Sequence, residues 1–311
     1  MSQGNASLID RAINRFQGII DGKTVDWEKY LEPSDVSRVI PAEALSDRLK
    51  QRLAASSEVV EGLALPWPKT HDKVFIQRGK VCVWTGWSHH GKTAMLKQCM
   101  ASAIYQGEKV CIASMEETVA DVFEDMAYLC CGTSSPKLSD VDEFSAFVTG
   151  KLWLYDQEGS INSKRIQAVI RYAAKELGIS QFVIDSLMML KVGRDDYDAQ
   201  AEFVGDLKSI AKDTNCTIHL VAHMRKREGK TGEDVPGSQH DISGGHEIGS
   251  KADYVFNVWR DKQRKDPNQP AAILGVDKQR GRKNWIGKIG LNHHADSRQF
   301  TETLFPQRFW K

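Results

Sequence analysis

The sequence predicts an α/β protein: a mostly parallel sheet flanked by helices, closed by a C-terminal antiparallel β-meander and preceded by a small helical appendage. Three observations carry this. From residue 80 onward, short apolar runs alternate with helix-length segments, the pattern that builds a parallel sheet covered by helices. Later the helical segments stop and strand-like runs follow one another across short polar links. Residues 1–70 carry helix-like spacing without a strand signal, which sets them apart as a separate unit.

In that first unit Leu8, Ile9, Ile13, Phe16, Ile19 and Ile20 recur at helical spacing, and Pro33, Pro41, Pro66 and Pro68 punctuate the rest. Residues 42–55 read as a short amphipathic helix with Leu45, Leu49 and Leu53 on one stripe, too small to bury that stripe alone. The body, residues 71–311, then runs strand 80–85 and helix 92–106, strand 109–114 and helix 118–131, and strand 152–155 and helix 163–177. Strand 181–185, helix 197–214 and strand 217–222 continue the alternation. Strands at 253–259, 271–278 and 285–291 are expected to form a meander on the sheet edge, joined by Asp266-Pro267-Asn268 and Gly281-Arg282-Lys283-Asn284.

Of the 311 residues, 41% are hydrophobic and 27% charged, the balance of an ordinary globular protein. No apolar run approaches the ~20 residues of a membrane span, and the first ten residues show no targeting pattern, so a cytoplasmic site and no membrane partner are expected. Six cysteines without a C-x-x-C pair, mostly in apolar stretches, read as reduced core thiols. The net charge of +1 requires any nucleic-acid surface to be local. Two clusters qualify: Arg225, Lys226, Arg227 and Lys230, then Lys278, Arg280, Arg282, Lys283 and Lys288.

The sharpest chemical signal is Gly86-Trp87-Ser88-His89-His90-Gly91-Lys92-Thr93, a G-x-x-x-x-G-K-[ST] loop between an apolar strand and a helix. Its backbone N–H groups and the helix N-terminus suit phosphate oxygens, Lys92 would reach the β- and γ-phosphates of ATP, and the Thr93 hydroxyl would ligate Mg²⁺. The nucleotide-binding set read here is Gly86, Ser88, His90, Gly91, Lys92, Thr93 and Ala94. Asp185 ends the apolar run Gln181–Asp185, where it can hold the metal or cap the next turn. Glu116, in Ser114-Met115-Glu116-Glu117, can activate water or simply favour a helix dipole. The segment 225–249 is long, polar and rich in glycine, as a binding loop or a solvated charge run would be.

The order of these motifs, followed by Leu220-Val221-Ala222-His223-Met224-Arg225-Lys226 and Lys278-Gln279-Arg280, resembles the RecA-like motor of the DnaB-like replicative helicases over roughly residues 60–300. Within that family it looks most like the helicase half of phage primase-helicases and Twinkle. The resemblance implies a homo-hexameric ring that hydrolyses nucleotide between subunits, translocating 5′ to 3′ along single-stranded DNA through its centre. It implies Glu116 as catalytic base, His223 as the link from γ-phosphate to DNA loop, and Lys278 with Arg280 as the finger inserted into a neighbour's site. Arg260 and His293 would flank the nucleotide base, Arg225, Lys226, Arg227 and Lys230 would meet DNA phosphates, and helix 42–55 would dock on the adjacent subunit. A separate primase or polymerase is the expected partner, since no primase module is visible and 70 residues are too few for the family's N-terminal collar. Gly249 and Ser250 depart from the larger polar residues common before Ala252-Asp253. A recombinase-like or regulatory ATPase that uses nucleotide as a switch, or a helicase subunit that needs a second protein, fits the same fold.

Overall fold

The computed structural model describes residues 18–21, 25–31, 50, 62–157, 159–190, 196–225, 234–243, 246–281 and 284–310. All of helix 42–55 except Lys50, together with Lys226, Arg227 and Lys230, lies outside the described residues. The chain forms a ten-stranded sheet with helices on both faces. In chain order its elements begin with β1 (Ile19–Asp21) and a small hairpin of β2 (Leu63–Ala64) and β3 (Phe75–Ile76). The phosphate-loop strand β4 (Val81–Gly86) leads into α1 (Lys92–Tyr105), and β5 (Val110–Ser114) into α2 (Val119–Cys131) and α3 (Leu138–Val148). Then come β6 (Leu152–Asp156), α4 (Ser163–Glu176), β7 (Gln181–Asp185), α5 (Tyr197–Thr214), β8 (Thr217–His223) and α6 (His246–Lys251). Four strands follow: β9 (Tyr254–Arg260), β10 (Ala272–Gln279), β11 (Gly287–His294) and β12 (Gln299–Thr301).

The strand order is β1-β6-β5-β7-β8-β4-β9-β10-β11-β12, parallel from β1 to β9 and antiparallel beyond it. β4 is therefore central, with β8 on one side and β9 on the other. All six of its residues are buried, as a parallel strand covered on both faces requires. Its alternation feeds two cores: Cys82 and Trp84 join Met95, Phe123 and Phe144 under α1, α2 and α3. Val81 and Val83 join Ile166, Phe203 and Leu207 under α4 and α5. Each such fully buried large side chain contributes roughly 1.5–3 kcal/mol.

A buried polar chain stitches three of these strands together. The Trp84 indole donates to His219 Nδ1 at 3.1 Å, which leaves Nε2 as the donor to Gln181 Oε1 at 3.0 Å. The Gln181 amide then donates to Glu108 at 3.1 Å, and Arg78 meets the same carboxylate at 2.7 Å. Burial lowers the His219 pKa to about 3, so the ring stays neutral.

The structure departs from expectation in several places. Residues 1–70 do contain strand: Ile19–Asp21 pair in parallel with Leu154–Asp156 at the sheet edge, and Leu63–Ala64 pair with Phe75–Ile76. Leu63, Leu65 and Trp67 lie in the same core as Trp84, so this end of the appendage packs as part of the sheet-bearing body. β9 does not begin an edge meander; it inserts beside β4, and only β10 to β12 turn antiparallel. Periodicity predicts neither helix α3 nor the three-residue β12. The C-terminal aromatics divide, with Phe309 and Trp310 packed on the core and Phe305 exposed.

Candidate active site

A cavity of about 640 Å³ opens at the carboxyl ends of β4, β5, β7 and β8. The phosphate loop forms its floor. Gly86 leaves β4 with φ 154°, and a Cβ there would run into the Val258 carbonyl of β9. Gly91 takes φ 90° at the start of α1, where a Cβ would stand 2.7 Å from the Phe300 ring. Both positions need glycine, one for close approach and one for handedness as well.

Lys92 is buried at the start of α1. Its ammonium donates to the Trp87 carbonyl at 3.0 Å and stands 3.5 Å from His223 Nδ1. Burial lowers it to about 8, against the pull of Asp185 and Glu116. One residue on, the Thr93 hydroxyl donates to Asp185 at 2.6 Å. Burial pushes Asp185 up to about 6 despite that hydrogen bond, with Glu116 and Glu117 adding repulsion.

Glu116 follows β5 and precedes α2, whose N-terminus is fixed by a capping box of Thr118 and Asp121. The Ser186 hydroxyl donates to Glu116 at 2.5 Å, and His223 Nε2 lies 3.7 Å from the same oxygen. At that separation the imidazole is a neighbour and not a formed hydrogen bond. Its proximity is nevertheless the largest reason Glu116 is held down to about 2, with Ser186 contributing next.

Of the residues read from sequence, Ser88, Gly91, Lys92, Thr93, Ala94, Glu116, Asp185, His223, Arg260 and His293 all line this one cavity. Arg260 Nη1 stands 3.3 Å from His293 Nε2, and burial with the nearby guanidinium lowers His293 to about 4. Gly86 and His90 are not among the lining residues. The His90 ring turns away and accepts the Arg260 backbone N–H at 3.1 Å, which ties the loop to β9. Burial lowers its pKa to about 4 as well.

Two further groups lie elsewhere. Gln279 at the end of β10 faces Tyr254, which faces Cys82 near the start of β4, so Lys278 and Arg280 sit at the edge of the sheet opposite the cavity. Both converge on the carbonyl of Ser250, Lys278 at 2.5 Å and Arg280 at 3.3 Å. Arg225 stacks its guanidinium 4.8 Å over the Tyr197 ring. Around Arg225 the stems of the basic segment are tied to the cavity wall: Ser243 N–H donates to the His223 carbonyl at 2.7 Å, and the Trp87 indole donates to the Val235 carbonyl at 3.0 Å.

Sequence reasoning passes over Trp87, Ser186, Lys97, Asp125 and Arg298. A lysine at position 97, inside an otherwise apolar helix face and four residues after Thr93, is the one visible signal among them. Among the described residues, no helix is long and apolar enough to cross a membrane.

Residues 72–302 match the family of the DnaB-like helicase C terminal domain. The DNA helicase/primase of Enterobacteria phage T3 is 26% identical over 253 residues, covering 74% of this chain and 44% of that protein. The chain thus spans less than half the length of that relative. Among solved structures, an isolated ATPase domain has a similar fold, with a TM-score of 0.71 at 14% identity over 84% of this chain and 98% of that one. A DnaB-like replicative helicase, solved in a study of its interactions with primase, gives a TM-score of 0.72 at 13% identity, covering 96% of this chain and 75% of its own.

Proposed function

The chain belongs to the DnaB-like helicase C-terminal domain family, and from that premise we propose that it is the motor of a ring-forming replicative DNA helicase, hydrolysing ATP to move 5′ to 3′ on single-stranded DNA. One observation supports this above the rest: the groups suited to bind and cleave a triphosphate line one cavity, while Lys278 and Arg280 stand at the opposite edge and cannot serve it. A cavity of this kind is completed by the Arg280 of a second copy in a head-to-tail ring.

Lys92 and the backbone of residues 88–93 hold the phosphates. Glu116, kept ionised well below neutral pH, accepts the proton of the attacking water. His223 touches both sides of the problem, 3.5 Å from Lys92 and one peptide from the stem of the basic segment, so a shift at the phosphates reaches Arg225 and its neighbours. Arg260 and His293 bound the end of the cavity that takes the base.

Mg²⁺ fits the donor set. Thr93 and Asp185 offer two oxygens 2.6 Å apart, and the buried carboxylate, pushed up to about 6, is the kind of group a hard cation would stabilise. When bound, the ion bridges phosphate oxygens and neutralises their charge. Single-stranded DNA, further copies of this chain and a separate primase or polymerase are the partners this reading requires.

The test is strand displacement on a forked DNA substrate with ATP and Mg²⁺, using Lys92→Ala as control. Unwinding that the control lacks supports the motor. DNA-stimulated hydrolysis without unwinding, in a protein that forms rings, would favour a switch-like ATPase.

A further inference from the structure

Lys97 lies on α1 four residues after Thr93, on the same side of the helix and one turn deeper into the protein. It is 3% exposed. Its ammonium donates to both oxygens of Glu117, at 3.1 and 2.8 Å, and to Asp125 of α2 at 2.9 Å. All three of its donors are thereby used. The other oxygen of Asp125 pairs with Arg298, from the turn between β11 and β12. Charges of alternating sign thus run Arg298, Asp125, Lys97, Glu117 along the wall of the cavity that Glu116 also lines.

A buried ammonium is expensive to desolvate, and an ion pair made with it is a poor device for stability alone. Its value here is geometric. Glu117 is the residue after Glu116, and the turn that carries both is closed by the Glu117 N–H donating to the Ser114 hydroxyl at 3.1 Å. Lys97 fastens that turn to the helix that presents Lys92 and Thr93. Lys97 itself is not among the residues lining the cavity, so it acts through Glu117.

We propose that Lys97 is a positioning residue for hydrolysis: by clamping Glu117 to α1 it sets the reach of Glu116 towards the phosphate loop. The clamp references the water-activating carboxylate, the phosphate-binding lysine and the metal-binding hydroxyl to one helix. It also keeps Glu117 from presenting a second free carboxylate to the triphosphate. The inference rests on reading Glu116 as the base.

Steady-state ATP hydrolysis with single-stranded DNA tests it in Lys97→Met, Lys97→Arg, Glu117→Gln and the Lys97→Met/Glu117→Gln double variant, with Glu116→Gln alongside. A misplaced catalytic group is expected to lower kcat about tenfold or more in Lys97→Met and in Glu117→Gln, with KM for ATP changed by less than about twofold. Lys97→Arg should recover most of the rate, and the double variant should be no worse than Lys97→Met. Thermal unfolding identifies a Lys97 variant that does not fold. Glu117→Gln then decides alone, because Lys97 keeps Asp125 as its counter-ion there. Unchanged kcat in Glu117→Gln, or a loss confined to KM, overturns the proposal. Full hydrolysis by Glu116→Gln would instead overturn the assignment of the base on which it stands.

Discussion

At the carboxyl edge of the sheet, charged groups face one another: Thr93 with Asp185, Ser186 with Glu116, Lys97 with Glu117 and Asp125. At the opposite edge, Lys278 and Arg280 rest on the carbonyls of Gly249 and Ser250, and among the described residues neither forms an ion pair. Burial and the charge of Arg280 lower Lys278 to about 8. The difference teaches how one fold can carry two halves of a site. Groups that must keep a fixed geometry are locked by partners of opposite charge. Cations intended for an anion on another molecule are held by neutral acceptors, which orient them without consuming their charge.

Arg280→Ala tests the outward half. An arginine finger contributes roughly 10³-fold or more to phosphoryl transfer, so DNA-stimulated hydrolysis should fall by about that factor while ATP binding to isolated subunits stays near normal. Nucleotide titration and turnover assays on the same preparation separate the two. An equal loss of binding would break the contrast between the edges.

Glu116→Gln tests the inward half. Loss of a positioned base costs about 10²- to 10⁴-fold, here with ATP and DNA binding retained. The substitution keeps the shape and the Ser186 contact. A variant that binds neither ligand would mean that Glu116 holds the fold and not the chemistry.

Acid provides a smaller and more diffuse test. His90, His219 and His293 are lowered to about 4, 3 and 4, each chiefly by burial. Their folded values lie below the unfolded one of about 6.5, so on acidification the unfolded chain takes up protons first. The stability they supply is complete above about pH 6.5 and is lost as pH falls towards 4. Thermal midpoints should drop by about 5–10 °C between pH 7 and pH 4.5. Because His90 and His293 flank the cavity, hydrogen exchange should loosen the carboxyl edge before the opposite one. A flat profile would contradict this account of the buried imidazoles.

Much of this is legible in the sequence where the signal is local. The phosphate loop, the strand-helix alternation and Asp185 at the end of an apolar run each show within a few residues. What stays hidden depends on distant partners. Ile19 and Ile20 fit helical spacing, yet Ile19–Asp21 is extended because β6 offers an unpaired parallel edge. Tyr254–Arg260 looks like the first strand of a meander, and only its pairing with β4 reveals a central position. His90 occupies a phosphate-loop position, but the Arg260 N–H needs an acceptor, and the ring serves it. The Lys97 cluster draws on α1, the turn after β5, α2 and the turn after β11, a convergence no window of sequence contains.

The central claim is that the cavity is completed by a second copy, and subunit mixing tests it most directly. Glu116→Gln supplies a normal Arg280 and Arg280→Ala supplies a normal Glu116, so each inactive protein lacks what the other can give across a head-to-tail interface. Mixed in equal amounts with DNA and ATP, they should recover hydrolysis to about a quarter of the unmodified rate, the share of interfaces that pair two intact halves. Mixed rings, verified by mass, that remain as inactive as either parent would contradict the account.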